Sequence, residues 1–318
     1  MGRSGSTTIG PIVERATARA MARVVRREAA VRALSVDRAL SVDRALSVDR
    51  ALPVDRALSV DRAVDPVRAV HRLRVAVRKL RVLLAAFGPY LDPEFAEPLR
   101  SRLSDLSDVL AAVRDLDVQL TGLDRQATTS PAFAMDVEPF RDSLRSRRAD
   151  ALRRLEVRLV APDRAALMAD LSADRIPVRH GDERARRALR RRLRKAWHRT
   201  SERIAAAGEG SGSLHEVRKS VKRLRYLAEI AADPIGRPAK RLATQAERTQ
   251  ELLGAHQDAV VLEQLVRTYV ADAGGLPPGT MFALGELVGR AQERRGQIEQ
   301  DWPHRRDRLT RRARQLLD

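Results

Sequence analysis

The feature that most constrains the fold is that the chain repeats one of its own patterns. Residues 70–81 read VHRLRVAVRKLR and residues 214–225 read LHEVRKSVKRLR, so both contain H-x-x-R-x-x-x-[RK]-[RK]-L-R. Residues 110–115 and 253–258 also resemble each other, at nearly the same separation. Segments that recur in register are typical of a duplicated architecture. We therefore predict an internal duplication, with halves at about 12–175 and 183–318.

The rest of the chain indicates helices. Only 3% of the residues are aromatic, and Ala, Leu and Arg, which favour helix, are abundant. With 43% hydrophobic residues the chain can bury a core, which excludes a disordered polycation. Residues 125–136 are expected to form a loop, and the last helix is expected to bend near Pro303. Helical spacing and capping signals predict an all-α fold with helices at 12–34, 66–87, 93–124, 137–160, 163–173, 184–207, 214–232, 237–273 and 278–317.

A tandem hexapeptide occupies residues 33–62. The unit Ala-Leu-Ser-Val-Asp-Arg occurs five times there, with Pro53 in place of serine in the fourth copy. Six residues at about 100° each turn successive leucines to different sides, so the array has no single apolar face. In the alignment of the two halves it occupies the place of residues 208–212. We predict a low-complexity insertion without a function of its own, with a spacer or docking segment as the alternative. Residues 1–11 are expected to be a flexible N-terminus.

Charge and composition restrict the function. The chain has 61 basic and 42 acidic side chains and a net charge of +19, which points to a polyanionic partner: nucleic acid, an anionic membrane surface or inorganic phosphate polymer. The absence of cysteine excludes disulfides, thiolate zinc sites and cysteine nucleophiles. No apolar run reaches the roughly 18 residues of a membrane span, and no signal-peptide core is present, so we expect a cytoplasmic location.

The basic residues of the two repeats form stripes. On a helical wheel His71, Arg74, Arg78 and Arg81 lie within about 80° of one another, nearly opposite the apolar side chains. His215, Arg218, Lys222 and Arg225 repeat this arrangement. For one helix, a solvated face would explain the stripe. Two copies in phase favour a shared groove in which a linear polyanion contacts both stripes and releases counterions. Arginine suits this role because its planar fork binds phosphate oxygens bidentately.

These residues resemble the CHAD family, the conserved histidine α-helical domain. The resemblance lies in the two histidine-led helices and in a later L-G-x-x-[RH]-D-x-D-V-like segment, which residues 110–118 match with Arg114, Asp115 and Asp117. Residues 253–261 are a weaker copy, because Gln257 replaces arginine and Val260 replaces the second aspartate. The resemblance covers about residues 12–34 and 64–317.

The resemblance implies two pseudo-symmetric antiparallel four-helix bundles around a basic central groove. It also implies that the chain binds inorganic polyphosphate, at polyphosphate granules in some members. Nothing in the sequence predicts the strands of the CYTH triphosphatase domain that some members carry, so we expect a stand-alone CHAD domain that is not an enzyme and needs no cofactor. The expected binding residues are His71, Arg74, Arg78, Lys79, Arg81, His215, Arg218, Lys222, Arg223 and Arg225, with Asp115, Asp117 and Asp258 as supporting carboxylates.

Two other functions stay open from the sequence. The charge also fits a nucleic-acid-binding or general polyanion-binding protein, although aromatic residues that would stack on single strands are nearly absent. Asp105, Asp108 and Asp115 lie along one side of their helix and could hold Mg²⁺ in a phosphate-processing enzyme, or instead pair with arginines. A metal site on His71 and His215 is disfavoured, because two imidazoles alone are too few ligands.

Overall fold

A computed structural model describes residues 7–47, 65–128, 130–173, 175–209 and 213–318, and within 35–47 only the course of the backbone. These residues form nine α-helices and a short 3-10 helix (Gly88–Tyr90), and they form no strand, which confirms the all-α prediction. The helices are α1 (Ile9–Ser47), α2 (Pro66–Phe87), α3 (Pro93–Ala127), α4 (Pro131–Val160), α5 (Asp163–Leu171), α6 (Ala185–Gly208), α7 (Leu214–Ile235), α8 (Arg237–Asp272) and α9 (Pro278–Leu317).

Local capping fixes the starts of the two helices that carry the stripes. The Asp65 side chain accepts a hydrogen bond from Val67 N at 3.0 Å, and Pro66 fills the first position of α2, where a missing N–H costs nothing. The Ser213 hydroxyl accepts from Glu216 N at 3.3 Å and starts α7. Both starts agree with the sequence prediction.

The loop predicted at residues 125–136 is wrong. Helix α3 continues to Ala127 and α4 begins at Pro131, where the Ser130 hydroxyl caps Phe133 N at 3.3 Å. The prediction failed because apolar residues in the first turn of α4 are buried in a core that they form with helices far away in the sequence. Phe133 packs there with residues of α8 and α9. Helix α9 runs without interruption through Pro303.

The N-terminal segment is anchored in its described part. Thr7 O accepts a hydrogen bond from Ala185 N at 2.9 Å, Ile9 N donates to Glu183 O at 2.9 Å, and the Ile9 side chain is fully buried. The expectation of flexibility is therefore wrong for residues 7–11, because backbone pairing to the start of α6 holds them; residues 1–6 lie outside the described part. Helix α1 extends to Ser47, and the hexapeptide copies beyond it, residues 48–62, also lie outside.

The helices pack in chain order within each half. Helix α1 contacts α2, α2 contacts α3 and α3 contacts α4, while α6, α7, α8 and α9 contact one another in the same sequence. A main core joins both halves, and a smaller core joins the ends of α3 and α4 to α8 and α9. This order is what two four-helix bundles require, and the internal duplication itself stays a prediction. The stripe helices α2 and α7 contact each other between the halves.

Candidate functional site

The contact of α2 with α7 brings basic residues of both stripes together. Arg74 and Arg78 on α2 lie close enough to Arg218 and Lys222 on α7 to lower the pKa of Lys222. Helices α3 and α8, which also contact each other, add one arginine and two carboxylates. We call this group the central basic cluster; its members are Arg74, Arg78, Arg114, Asp115, Arg218, Lys222 and Asp258.

One ion pair orients the cluster from its α3 side. The Arg74 guanidinium donates to Asp115 Oδ1 at 3.0 Å, with the Arg74 side chain 16% exposed and the carboxylate 53% exposed. The half-exposed carboxylate holds the arginine in place while leaving solvent access. Asp115 therefore pairs with Arg74, and its supporting role in binding stays a prediction.

Arg78 and Arg218 lie in the cluster without an ion pair to any described residue. Burial, followed by the charge of Arg74, lowers the pKa of Arg78 to about 10. Burial also lowers the pKa of Arg218, against the opposing effect of Asp258. Arg218 Nε is buried and has no hydrogen-bond acceptor among the described residues. A buried donor without an acceptor is costly, so an oxyanion beside Arg218 would be stabilising.

Lys222 is the most buried cation of the cluster. It is 9% exposed and has no ion pair within the described part of the chain. Burial first, and then the charges of Arg78, Arg218 and Arg74, lower its pKa to about 6, with Asp115 acting in the opposite direction. Lys222 is therefore largely uncharged at neutral pH. An anion that compensates the arginines would favour its protonated form.

The two histidines differ in their surroundings. Partial burial and then the charges of Arg114, Arg74 and Arg78 lower the pKa of His71, which places this imidazole at the edge of the cluster. His215 Nδ1 lies 2.7 Å from Gln257 Oε1 on α8. His215 is thus held by the residue that replaces arginine in the second copy of the downstream segment.

Four predicted binding residues are not members of the central basic cluster, although Lys79 and Arg225 lie over the ring of Tyr226 beside it. Lys79 Nζ donates to Glu229 Oε2 at 2.6 Å, and Arg225 contacts Glu229 at 2.9 Å and Glu247 at 2.7 Å. Arg81 donates to Ser104 Oγ at 2.9 Å, and Arg223 is exposed. Lys79 and Arg223 sit about 80° around their helices from His71 and His215, which explains why they face elsewhere. Their part in binding stays a prediction.

The other two carboxylates have different environments. Asp117 is buried and accepts from Arg148 Nε at 2.6 Å, so it fixes α3 to α4, and its charge also acts on His71. Burial raises the pKa of Asp258, and nearby Asp115 adds to this effect while Arg218 opposes it. Arg114 was named only in the family motif and not among the expected binding residues. Its half-buried guanidinium lies near His71 and Asp258, so the motif segment was the signal that could have identified it.

Two other features were sought among the described residues: a metal site and a membrane-spanning helix. They contain no group of three or more His, Cys, Asp or Glu side chains placed to hold a metal ion. Asp105 and Asp108 are both exposed on α3. Among these residues, no helix combines the length and the apolarity that crossing a bilayer requires.

Comparison with known proteins gives the class of the chain. The family model of the CHAD domain matches residues 54–267, and the chain therefore belongs to the CHAD domain family. This confirms the resemblance that the two histidine-led helices carry. The described residues form no strand, so none of them supplies the strands of a CYTH domain.

Curated relatives and solved structures agree with this class. The uncharacterized proteins Rv2226 and MT2285 of two Mycobacterium tuberculosis strains are 32% and 31% identical to the chain, each over 63% of it. The chain spans 40% of the length of these relatives. PptA from Streptomyces chartreusis matches with a TM-score of 0.63 and 18% identity, over 94% of this chain and 99% of that one. The CHAD domain from the plant Ricinus communis matches with a TM-score of 0.59 and 19% identity, over 98% and 94%. At these identities the two structures support the fold alone.

Proposed function

We propose that the chain binds inorganic polyphosphate through the central basic cluster, without hydrolysing it. One observation carries the proposal: arginines from both repeats meet where α2 contacts α7, and Arg78 and Arg218 have no ion pair to any described residue. Partly buried cations without counter-charges are stabilised by a bound anion. The family resemblance supports polyphosphate as that anion.

The chemistry of the cluster suits a chain of phosphates. Arginine forks give paired hydrogen bonds to phosphate oxygens, and charge-assisted bonds of this kind are the strong ones. Phosphates repeated along a chain would contact α2 and α7 at once, so successive contacts are intramolecular and add affinity. Asp115 positions Arg74 by an ion pair, and the charge of Asp258 acts on Arg218.

Nucleic acid is the second polyanion that the positive charge would fit. Apart from that charge, the described residues beside the cluster provide no surface on which a base could stack. Tyr226 is the aromatic side chain beside the cluster, and it is 6% exposed, so no base could stack on it. The described residues contain no group of three or more His, Cys, Asp or Glu side chains placed to hold a metal ion, and binding without hydrolysis stays part of the proposal. A cytoplasmic location at polyphosphate granules stays part of this proposal.

The test reverses one arginine of each repeat. Arg74→Glu with Arg218→Glu should weaken binding of long-chain polyphosphate by about 100-fold or more, because at least two charge-assisted contacts are lost. The charge-matched control reverses Arg187 and Arg190, which are exposed on α6, and should cost only a few-fold. Equal losses in the two variants would show that only diffuse charge matters and would refute the cluster as the site.

A second variant guards against misfolding of the first. Arg78→Gln removes a cation that has no ion pair among the described residues, so the fold keeps all its described ion pairs. We expect about tenfold weaker binding and a melting temperature that is not lowered, because burial disfavours the charged form of Arg78 in the folded chain. Phosphate release from polyphosphate, with and without Mg²⁺, tests the enzymatic alternative; turnover that Asp115→Asn abolishes would overturn the proposal of binding alone.

A further inference from the structure

A second basic groove lies between α8 and α9, on the C-terminal side of the molecule. Its main cavity has a volume of about 450 Å³, and an adjoining recess of about 220 Å³ shares residues with it. The helices contact each other along this side. The side chains that matter are Arg241, Gln245 and Arg248 on α8, and Arg308, Arg311 and Arg312 on α9.

The sequence spacing places these residues on two facing stripes. Positions 241, 245 and 248 follow one side of α8, and positions 308, 311 and 312 follow one side of α9, since residues three or four apart are neighbours on a helix. The groove therefore forms where two helix faces with regularly spaced basic residues lie against each other. Arginines scattered at random around α9 would not produce it.

The groove carries positive charge without compensation. None of its five arginines forms an ion pair with a carboxylate of the described residues, and no Asp or Glu lines the two cavities. The hydrogen bond that Arg312 makes is to the neutral Gln315 Oε1, at 2.8 Å. Elsewhere on the surface arginines such as Arg290 and Arg267 do pair with glutamates. The acidic residues of α8 and α9 therefore do not line this groove.

A buried donor supplies a second, independent observation. Gln245 lines the groove and is 8% exposed, and its Nε2 has no hydrogen-bond acceptor among the described residues. Leaving a buried amide donor unpaired is costly, so such donors in native proteins call for an acceptor. An oxygen of a bound ligand would provide it.

The groove is distinct from the central basic cluster. Arg248 is ten residues from Asp258, which is about 15 Å along α8 and about 80° around it. Glu247, next to Arg248, faces Arg225 rather than the groove. Helix α9 also lies beyond residues 54–267, which the CHAD family model matches. The α9 side of the groove therefore lies outside the family match, while Arg241, Gln245 and Arg248 on α8 lie inside it.

We propose that the α8–α9 groove is a second anion site, which binds a short chain of phosphate groups such as a di- or triphosphate. Five guanidinium forks supply bidentate donors for several phosphates, and the Gln245 amide adds one neutral donor at the buried wall. The volume falls within the range of small-ligand sites. The site does not depend on the function proposed for the central basic cluster.

The probe is inorganic triphosphate, titrated calorimetrically into the full chain. The main variant, Arg308→Ala with Arg311→Ala, should remove one class of binding site or weaken it by about tenfold or more. The control, Arg190→Ala with Arg294→Ala, removes the same charge at exposed positions outside the groove and should leave the binding curve unchanged. Equal effects of the two pairs, or no effect of the main variant, would overturn the site.

A charge-neutral variant separates recognition from diffuse attraction. Gln245→Met removes the unpaired donor at constant charge, and should weaken triphosphate binding about tenfold without lowering the melting temperature. Unchanged binding in this variant would overturn the role of Gln245. The Arg78→Gln variant should still bind triphosphate in the groove. The experiments therefore distinguish a wrong assignment of the central basic cluster from a wrong assignment of the groove.

Discussion

The replacement Lys222→Met tests the central basic cluster through stability. Lys222 has a pKa of about 6 in the folded chain, against 10.5 for an unperturbed lysine, because it is buried and lies beside Arg78, Arg218 and Arg74. Between these two pH values the unfolded chain binds the additional proton, so folding stability rises with pH across this window. Because pH 7 lies 3.5 below the pKa of 10.5 that the lysine has in the unfolded chain, the stability lost at pH 7 is at most about 5 kcal/mol.

Methionine keeps the apolar stem of Lys222 and removes the amine. The Lys222→Met variant should therefore be more stable at pH 7, by about 2–5 kcal/mol and several degrees in melting temperature. The gain should shrink steadily as the pH rises toward 10.5, because the lysine of the unfolded chain then loses its proton as well. Thermal unfolding of both proteins from pH 6 to pH 10 measures this difference. The control is Lys195→Met, an exposed lysine of α6, which should change little at any pH.

Binding should change in the opposite direction. A bound polyanion favours the protonated form of Lys222, so the wild-type chain gains a contact that methionine cannot make. Lys222→Met should bind polyphosphate about tenfold more weakly while being more stable. A variant that is less stable and binds normally would refute the reasoning, because Lys222 would then be a packing residue with no unfavourable charge.

Three further predictions concern separate parts of the molecule. Polyphosphate binding at pH 7 should take up protons, seen as binding heats that depend on the ionisation enthalpy of the buffer, and this uptake should fall in Lys222→Met. Glu28→Ala should lower the free energy of unfolding in urea by about 3 kcal/mol, because it removes the buried acceptor of two Arg164 hydrogen bonds, at 2.6 Å and 3.2 Å; Arg164→Met in addition should restore part of the loss. Deletion of residues 51–62, two hexapeptide copies, should leave the polyphosphate affinity unchanged; a tenfold loss would show that the array is functional.

The sequence predicts those features that depend on nearby residues. Asp65 with Pro66, and Ser213 with Glu216, are local capping signals, so the starts of α2 and α7 follow from them. The spacing of His71, Arg74 and Arg78 likewise gives a stripe by helix geometry alone. The loop predicted around Ser130 failed because burial of Phe133 depends on α8 and α9, which are far away in the chain.

The sequence could not predict which basic residues meet. Lys79 is neutralised by Glu229, 150 residues later, and no local pattern identifies that partner. Whether Lys222 is buried depends on how α7 lies against α2. The facing arginine stripes of α8 and α9 are also tertiary, since the spacing within one helix does not say what it faces. The charge pattern of the sequence therefore predicts a polyanionic partner. Which basic residues come together depends on where the helices contact each other in the fold.

The most direct test is binding of long-chain polyphosphate to the full chain, with duplex DNA and RNA as competitors. The competitors should be present at equal phosphate concentration and about 150 mM salt, where diffuse attraction is largely screened. We predict that polyphosphate stays bound against an equal amount of either nucleic acid, and that Arg74→Glu with Arg218→Glu removes this preference. Equal competition by DNA or RNA would contradict the central claim, because the chain would then be a general polyanion binder.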